Sequence, residues 1–599
     1  MSSVTSEHGQ SLPEESAPPA PAPGRLVARW APWLVVGLYL LASFALTWRL
    51  WADPAGRMVA GNPGDTNLFA WFMRDSATAV SHGRLPALVT TGLNAPQGIN
   101  LMWNTSVPLP ALLLTPVTLT AGPVAAYNVL VTLGLALSAW TAFLAIRRHA
   151  SHPAAALGGL LYGFSPYMVA QAVGHANLAL AILPPLVLMV FEDLLTSDTV
   201  SARRCGVLLG VLAAAQLLIA EELLASMAVV AVVGVTLLAV LHRERVRERA
   251  RRVATGIAWG IAVFAVIAAL PLAVQFAGPQ RVHGPAQKND VFVTDAANLV
   301  VPTAVQAVDP PAAQDITVRY PGTNVAEEDG YVGIALLAIV AMVAVRWWRA
   351  RLARYYALLF GAVVVLSLGP RLHVGGEVTA IRLPWRIIGS VPVLENLLPG
   401  RLMLYAFFAA GMLLAVFVDD LRTLGMRSLR FVAGACAVLF AVALLMPRWP
   451  FRSNPDPVPE FFTSAAVEQL PEDSTALLVP FPGLFSVPPM LWQAEAGMRF
   501  RAPGGYFSRP DAQGHPFNEL DTSSTAHILE SIRTGSAAPE LDSALRATIA
   551  ADLRRWGVST VILGPMDFRE PMRAFLTQYL LRPPDRATGG VEIWTGVGG

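Results

Sequence analysis

CGVLLGVLAAAQLLIAEELLASMAVVAVVGVTLLAVL, residues Cys205–Leu241, is an apolar run whose only charges are Glu221 and Glu222. A membrane-spanning helix takes about 20 mainly apolar residues, so the run is too long for one span. Splitting it at the two carboxylates gives spans Cys205–Ala220 and Leu223–Leu241. Two spans return the chain to its starting face, so Arg203-Arg204 before the run and the cluster His242–Arg252 after it share one side of the membrane. Glu221 and Glu222 then mark the opposite side, and carboxylates at membrane depth usually face a polar cavity.

The rest of the chain supports a membrane reading. Of its 599 residues 54% are hydrophobic and 14% charged, too few charges to cover a soluble protein of this size. The same length rule predicts about eleven spans: Trp30–Trp51, Val124–Ile146, Ala154–Ala172, Leu178–Leu195, Cys205–Ala220, Leu223–Leu241, Val253–Phe276, Tyr331–Val345, Tyr355–Leu368, Leu402–Val418 and Phe431–Met446. Val107–Ala121 and Leu383–Leu398 are too short or too proline-rich to span, and suit interfacial or re-entrant segments. With the N-terminus cytoplasmic, every dense arginine cluster between spans falls inside, as the positive-inside rule requires. Outside lie the loops 52–123 and 277–330. Residues 1–29, rich in Pro, Ala and Ser, read as a disordered cytoplasmic tail. After a proline-rich linker, 447–459, residues 460–599 read as a small α/β domain on the outer side. There TALLVPF and STVILGP are expected strands, and LRATIAADLRRWGV is a helix ending at Gly557. Cys205 and Cys436 lie in apolar runs and read as small buried hydrophobes. Lys288 is the only lysine, a bias toward arginine that suggests a GC-rich bacterial genome and so a bacterial inner membrane.

This topology gathers polar residues from separate parts of the chain on the outer face. Asp65 (GNPGDTN) follows the first span, with LFAWFM after it as an apolar helix on the membrane surface. His175 (GHANL) turns between the third and fourth spans, and Glu221 and Glu222 end the fifth and begin the sixth. Glu327, Glu328 and Asp329 (EEDGYVG) precede the eighth. Arg382, Arg386 and Arg401 surround the 383–398 segment, and Arg281 lies in the outer loop before it. Each also suits a plainer role: Asp65 a helix cap, His175 a bonded loop residue, the acidic run a solvated loop end, Arg401 a headgroup anchor. A phosphate-cradling glycine loop, a CxxC or HExxH metal motif and a basic aromatic nucleic-acid surface are absent from the sequence.

GNPGDTN (Gly61–Asn67), NTSVPLPALLLTP (Asn104–Pro116), FSPYMVAQAVGHANLALAILPPL (Phe164–Leu186), EEDGYVG (Glu327–Gly333) and LPGRLMLYAF (Leu398–Phe407) resemble stretches of one enzyme group. This is the GT-C superfamily of integral membrane glycosyltransferases, with the nearest likeness to bacterial YfhO-type and mannosyl- or aminoarabinose-transferring members. The resemblance implies a mainly α polytopic bundle with an exported C-terminal domain. It also implies transfer of a sugar from a polyprenyl-phosphate donor to an envelope glycan, glycolipid or protein acceptor. Asp65 stands where such enzymes carry an essential aspartate, although here it is single where some relatives have paired acids. The chemistry needs a carboxylate base, for which Asp65 is the candidate, and cations on the departing phosphate, for which Arg401, Arg386 and Arg281 are candidates. His175, Glu221, Glu222, Glu327, Glu328 and Asp329 are candidates to hold acceptor, sugar or a divalent cation (Mg or Mn). Trp492, Gln493 and Tyr506 in the exported domain suit acceptor recognition or packing. A lipid-linked glycan flippase and a non-catalytic envelope-assembly protein are the alternatives.

Overall fold

The computed structural model describes residues 23–322, 324–518 and 521–597. The expected tail lies outside the described residues as far as residue 22. The first helix, Pro23–Trp51, begins ahead of the expected Trp30. Among the described residues, five helices are long and apolar enough to cross a membrane: Ala31–Trp51, Pro123–Ile146, Glu221–Leu241, Val246–Ala277 and Pro399–Arg422. Two of these, Pro123–Ile146 and Pro399–Arg422, form the centre of the bundle. Small residues let the backbones approach there. A Cβ on Gly158 would sit 2.7 Å from the Gly411 carbonyl oxygen, so the helices His152–Gly163 and Met403–Arg422 touch backbone to backbone.

Two of the expected spans are not single helices. The third breaks at Phe164–Ser165 into His152–Gly163 and Pro166–Gly174, because Pro166 has no N–H to continue the first helix and Ser165 caps the second. The fourth starts at Leu183, leaving residues 175–182 irregular. Both interruptions lie beside the outer-face residues. The long apolar run divides as expected, into helices Ala202–Leu217 and Glu221–Leu241.

The loop between the first two long spans carries the helix Pro63–Ser81 and the short helices Pro108–Leu113 and Thr115–Ala121. LFAWFM does not lie on a membrane surface: Trp71, Phe72 and Met73 are buried, under the C-terminal helix Pro488–Glu495 and against the bundle. The segment 383–398 is a short helix, Trp385–Ile388, followed by a 3-10 turn. An unforeseen hairpin, Arg371–Val374 with Glu377–Arg382, precedes it.

Beyond the bundle, strands Arg586–Thr588, Val591–Thr595, Val558–Leu563 and Thr475–Val479 form a four-stranded sheet in that order. Val558–Leu563 and Thr475–Val479 pair in parallel, as buried strands of an α/β unit do. The helix Ser543–Trp556 ends at Gly557 in the left-handed conformation. The stretch 447–459 is more than a linker, because Ser453–Pro455 pairs antiparallel with Arg57–Val59 of the first loop. Cys205 is buried, whereas Cys436 is exposed on the outside of the bundle.

Candidate active site

Asp65 lies in the first turn of Pro63–Ser81. Pro63 pre-sets the helical backbone at the start, and the Asn62 side chain caps the end by accepting from the Asp65 N–H at 3.4 Å. The same Asn62 amide donates to Asp65 Oδ2 at 2.7 Å. His175, at the broken end of Pro166–Gly174, places Nε2 3.1 Å from Asp65 Oδ2. Its Nδ1 is 2.8 Å from Gln171 Oε1, one helical turn back, and 3.6 Å from Glu327 Oε1. Gln171 Nε2 donates to Asp329 Oδ2 at 3.1 Å, which leaves its carbonyl oxygen to accept from a protonated Nδ1. Nε2 is then the ring nitrogen that meets Asp65.

Arg401 sits on the other side of Glu327. Its guanidinium donates to both Glu327 oxygens, through Nε at 3.1 Å, and on its other edge to Glu222. The remaining Glu222 oxygen accepts from the Leu398 N–H at 3.2 Å. The fork of Arg401 is therefore filled by two carboxylates, and its side chain is only 13% exposed. That is a correction to its expected role as a free phosphate ligand: it is the central link of a buried network. Burial raises the Glu327 carboxyl, but the charges of Arg401 and His175 and the hydrogen bonds outweigh it and hold the group below the ordinary range. Asp329 goes the other way, pushed well up by burial and then by the neighbouring Glu327 charge.

Six of the expected residues thus converge: Asp65, His175, Glu222, Glu327, Asp329 and Arg401. Five do not join them. Glu221 turns aside to accept from Gln275 at 2.6 Å. Glu328 faces Asp309, and burial together with that charge pushes it up to about 7. Arg386 and Arg281 are exposed, on the short helix and on the loop that packs against it through Asn289 Nδ2 to the Gly389 carbonyl at 2.8 Å. Arg382, at the end of the unforeseen hairpin, is exposed as well.

A divalent cation does not suit this donor set. Glu222 and Glu327 are both taken up by Arg401, Asp329 is held by Gln171, and no three acid, His or Cys side chains converge as metal ligands among the described residues.

Three contributors escaped the sequence reading, or were given other roles there. Asn62 and Gln171 are polar residues one turn from Asp65 and His175, and that spacing is the signal they carry. Tyr506 comes from the C-terminal domain. Its ring lies 3.1 Å from where a Cβ on Gly64 would stand, and its hydroxyl bonds Asp65. Burial, and then that carboxylate, push its phenol up, so it stays a donor. Of its expected companions, Trp492 is core, and Gln493 accepts from Trp71 Nε1 at 2.8 Å.

The fold is that of the GT-C glycosyltransferases. Mycobacterial arabinofuranosyltransferase AftD superposes with a TM-score of 0.54 at 15% identity, covering 95% of this chain and 40% of that one. At that identity the likeness is one of fold, and the chain spans well under half of AftD's length. ArnT from Cupriavidus metallidurans in the apo state matches with a TM-score of 0.46 at 13% identity, over 96% of this chain and 98% of that one. Archaeoglobus fulgidus AglB, in complex with an inhibitory peptide and a dolichol-phosphate, matches with 0.46 at 12% identity, over 95% and 74%. No curated protein matches the sequence. The family described as Domain of unknown function (DUF6311) matches residues 78–446, more than half of the chain, and the chain belongs to it.

Proposed function

We propose that this protein is a glycosyltransferase of the outer face of a bacterial inner membrane, moving a sugar from a polyprenyl-phosphate donor to an envelope glycan, glycolipid or protein. The observation that carries the reading is Asp65 itself: a carboxylate held by Asn62, His175 and Tyr506 in the first turn of a helix beneath a second domain, within a GT-C fold. The arginine-rich loops supply the sidedness, since they gather on the face opposite Asp65. Kinship to YfhO-type members belongs to the same proposal.

In the reaction an acceptor hydroxyl attacks the anomeric carbon, the bond to the donor phosphate breaks, and the hydroxyl proton passes to Asp65. Three donors fix the position of that carboxylate, so it meets the acceptor without reorganising. His175, bound to Gln171 behind it, orients that carboxylate through Nε2. With Arg401 filled, the departing phosphate falls to Arg386 and Arg281, which are exposed on adjacent layers. No step is routed through a metal.

The test is mass analysis of envelope glycans and glycolipids in a deletion strain complemented with wild type, Asp65→Asn or Asp65→Ala. Loss of one glycan species with both variants, at normal membrane levels, is expected. Unchanged glycans in both would rule out the role of Asp65, and a lipid-linked intermediate building up on the inner leaflet would point to a flippase.

A further inference from the structure

A second site lies on the arginine-rich side of the bundle and does not depend on the transferase reading. A cavity of about 450 Å³ runs between the helices Leu183–Thr196, Glu221–Leu241, Arg351–Ser367 and Met403–Arg422. Its walls are apolar, with Phe191, Val230, Tyr355 and Phe408 among them. Toward the Asp65 side it ends at Tyr162 and Tyr405. Their hydroxyls donate to the carbonyls of Ala181 and Leu223, both at 3.0 Å, so that end offers a ligand no free polar group.

The other end is polar. His149 Nε2 lies 2.8 Å from Glu192, while Arg148 bonds both oxygens of Asp193 at 2.8 and 3.3 Å and lies 3.4 Å from Glu192, so both acids there already have partners. Arg351 also lines the mouth, is exposed, and has no ion-pair or hydrogen-bond partner among the described residues. It follows directly on the turn RWWRA (346–350), where Arg346 and Arg349 are exposed and Trp348 is 46% exposed. Exposed tryptophan beside arginine marks the headgroup level of a bilayer. An apolar groove of ligand size therefore opens, at headgroup depth, onto an uncompensated cation.

We propose that this groove binds an anionic glycerophospholipid of the arginine-side leaflet, with one acyl chain between the four helices and the phosphate at Arg351. The charge at the mouth selects an anionic headgroup over a zwitterionic one, and the sealed far end separates the site from the Asp65 cluster.

Native mass spectrometry of the full chain in detergent, titrated with palmitoyl-oleoyl phosphatidylglycerol or phosphatidylcholine, tests this. The expectation is retention of phosphatidylglycerol about fivefold better than phosphatidylcholine, the preference one arginine at a lipid surface supplies. Arg351→Glu should abolish the preference, and Ala231→Trp, which fills the groove, should lower retention of both lipids. Where Arg351→Glu does not elute as a monodisperse species, Arg351→Gln is read in its place. Equal retention of the two lipids by wild type, or a preference that survives both substitutions, overturns the proposal. So does displacement of phosphatidylglycerol by equimolar undecaprenyl phosphate, which would make the groove a prenyl-lipid site.

Discussion

Tyr506 and Asp65 form a pair whose chemistry has a sign. A phenol that donates to a carboxylate stabilises the anion, so removing the hydroxyl takes that support away. Tyr506→Phe keeps the ring against Gly64 and removes only that donor. The expected result is a fall in kcat/KM of about tenfold, the scale of one hydrogen bond to a charge. An unchanged kcat/KM in transfer assays on membranes would leave Tyr506 a packing residue. Asp75, on the same helix, supplies a stability test. Burial pushes its carboxyl up to about 6, against opposing effects from Arg84 and Thr90. An acid raised on folding binds its proton more tightly in the folded state, so stability is full near pH 4 and falls as pH rises toward 6. Asp75→Asn removes the charged form and should stabilise by ~1–2 kcal/mol at pH 7.5, less than the full displacement implies because the side chain is part-exposed. Thermal unfolding in detergent should show that gain shrinking to nothing near pH 4.

At the scale of elements, the site depends on how closely the start of Pro63–Ser81 approaches the end of Pro166–Gly174. A Cβ on Gly61 would stand 2.0 Å from Val173 Cγ1, so only glycine lets Asn62 and Asp65 reach His175. Gly61→Ala should cost about 1–3 kcal/mol by overpacking and lower transfer. Val173→Ala in the same chain should restore much of both, because the clash is with that one methyl. If the double variant is no better than the single, the two helices are not held by this contact. This dependence also explains how far the sequence could be read. Glu222, Glu327, Asp329, Arg401, His175 and Asp65 converge because each ends or precedes an apolar run on one face, and hydropathy locates such ends. Hydropathy does not register the break at Phe164–Ser165 or the irregular stretch 175–182, which aim Gln171 and His175 at Asp65. Nor does it show that the Arg401 fork closes on two carboxylates, since that is settled by side-chain reach across three helices and loops. The strand expectations and the Gly557 helix end survived because burial pattern and a left-handed cap are local properties.

On the scale of the whole molecule, the C-terminal domain acts as one wall of the site. It joins the first loop along a line of hydrogen bonds. Ala502 N–H donates to the Gly92 carbonyl at 2.9 Å, Ala95 N–H to the Ala502 carbonyl at 3.0 Å, and Asn104 and Ser508 exchange bonds at 2.9 and 2.6 Å. Gln493 is the buried centre of this seam, donating to the carbonyls of Gly92 at 2.8 Å and Phe500 at 2.6 Å while accepting from Trp71. The segment carrying Tyr506 therefore reaches Asp65 only when the seam is closed. Gln493→Ala leaves the Trp71 N–H and the Phe500 carbonyl without the partners they have here, while Gly92 keeps its bond from Ala502, at a cost of about 2–4 kcal/mol. The seam meets the sheet at its Thr475–Val479 edge, where the Ala476 N–H donates to the Arg501 carbonyl at 2.9 Å, but the helices on the other face of the sheet pack in a core of their own, so the domain should stay folded while its docking loosens. Limited proteolysis of the purified chain should then cut within residues 497–515 faster than in wild type. Transfer should fall at least as far as in Tyr506→Phe, since the tyrosine and the wall it belongs to are displaced together. A variant that is cut faster yet transfers normally would show that the domain covers the site without taking part in it.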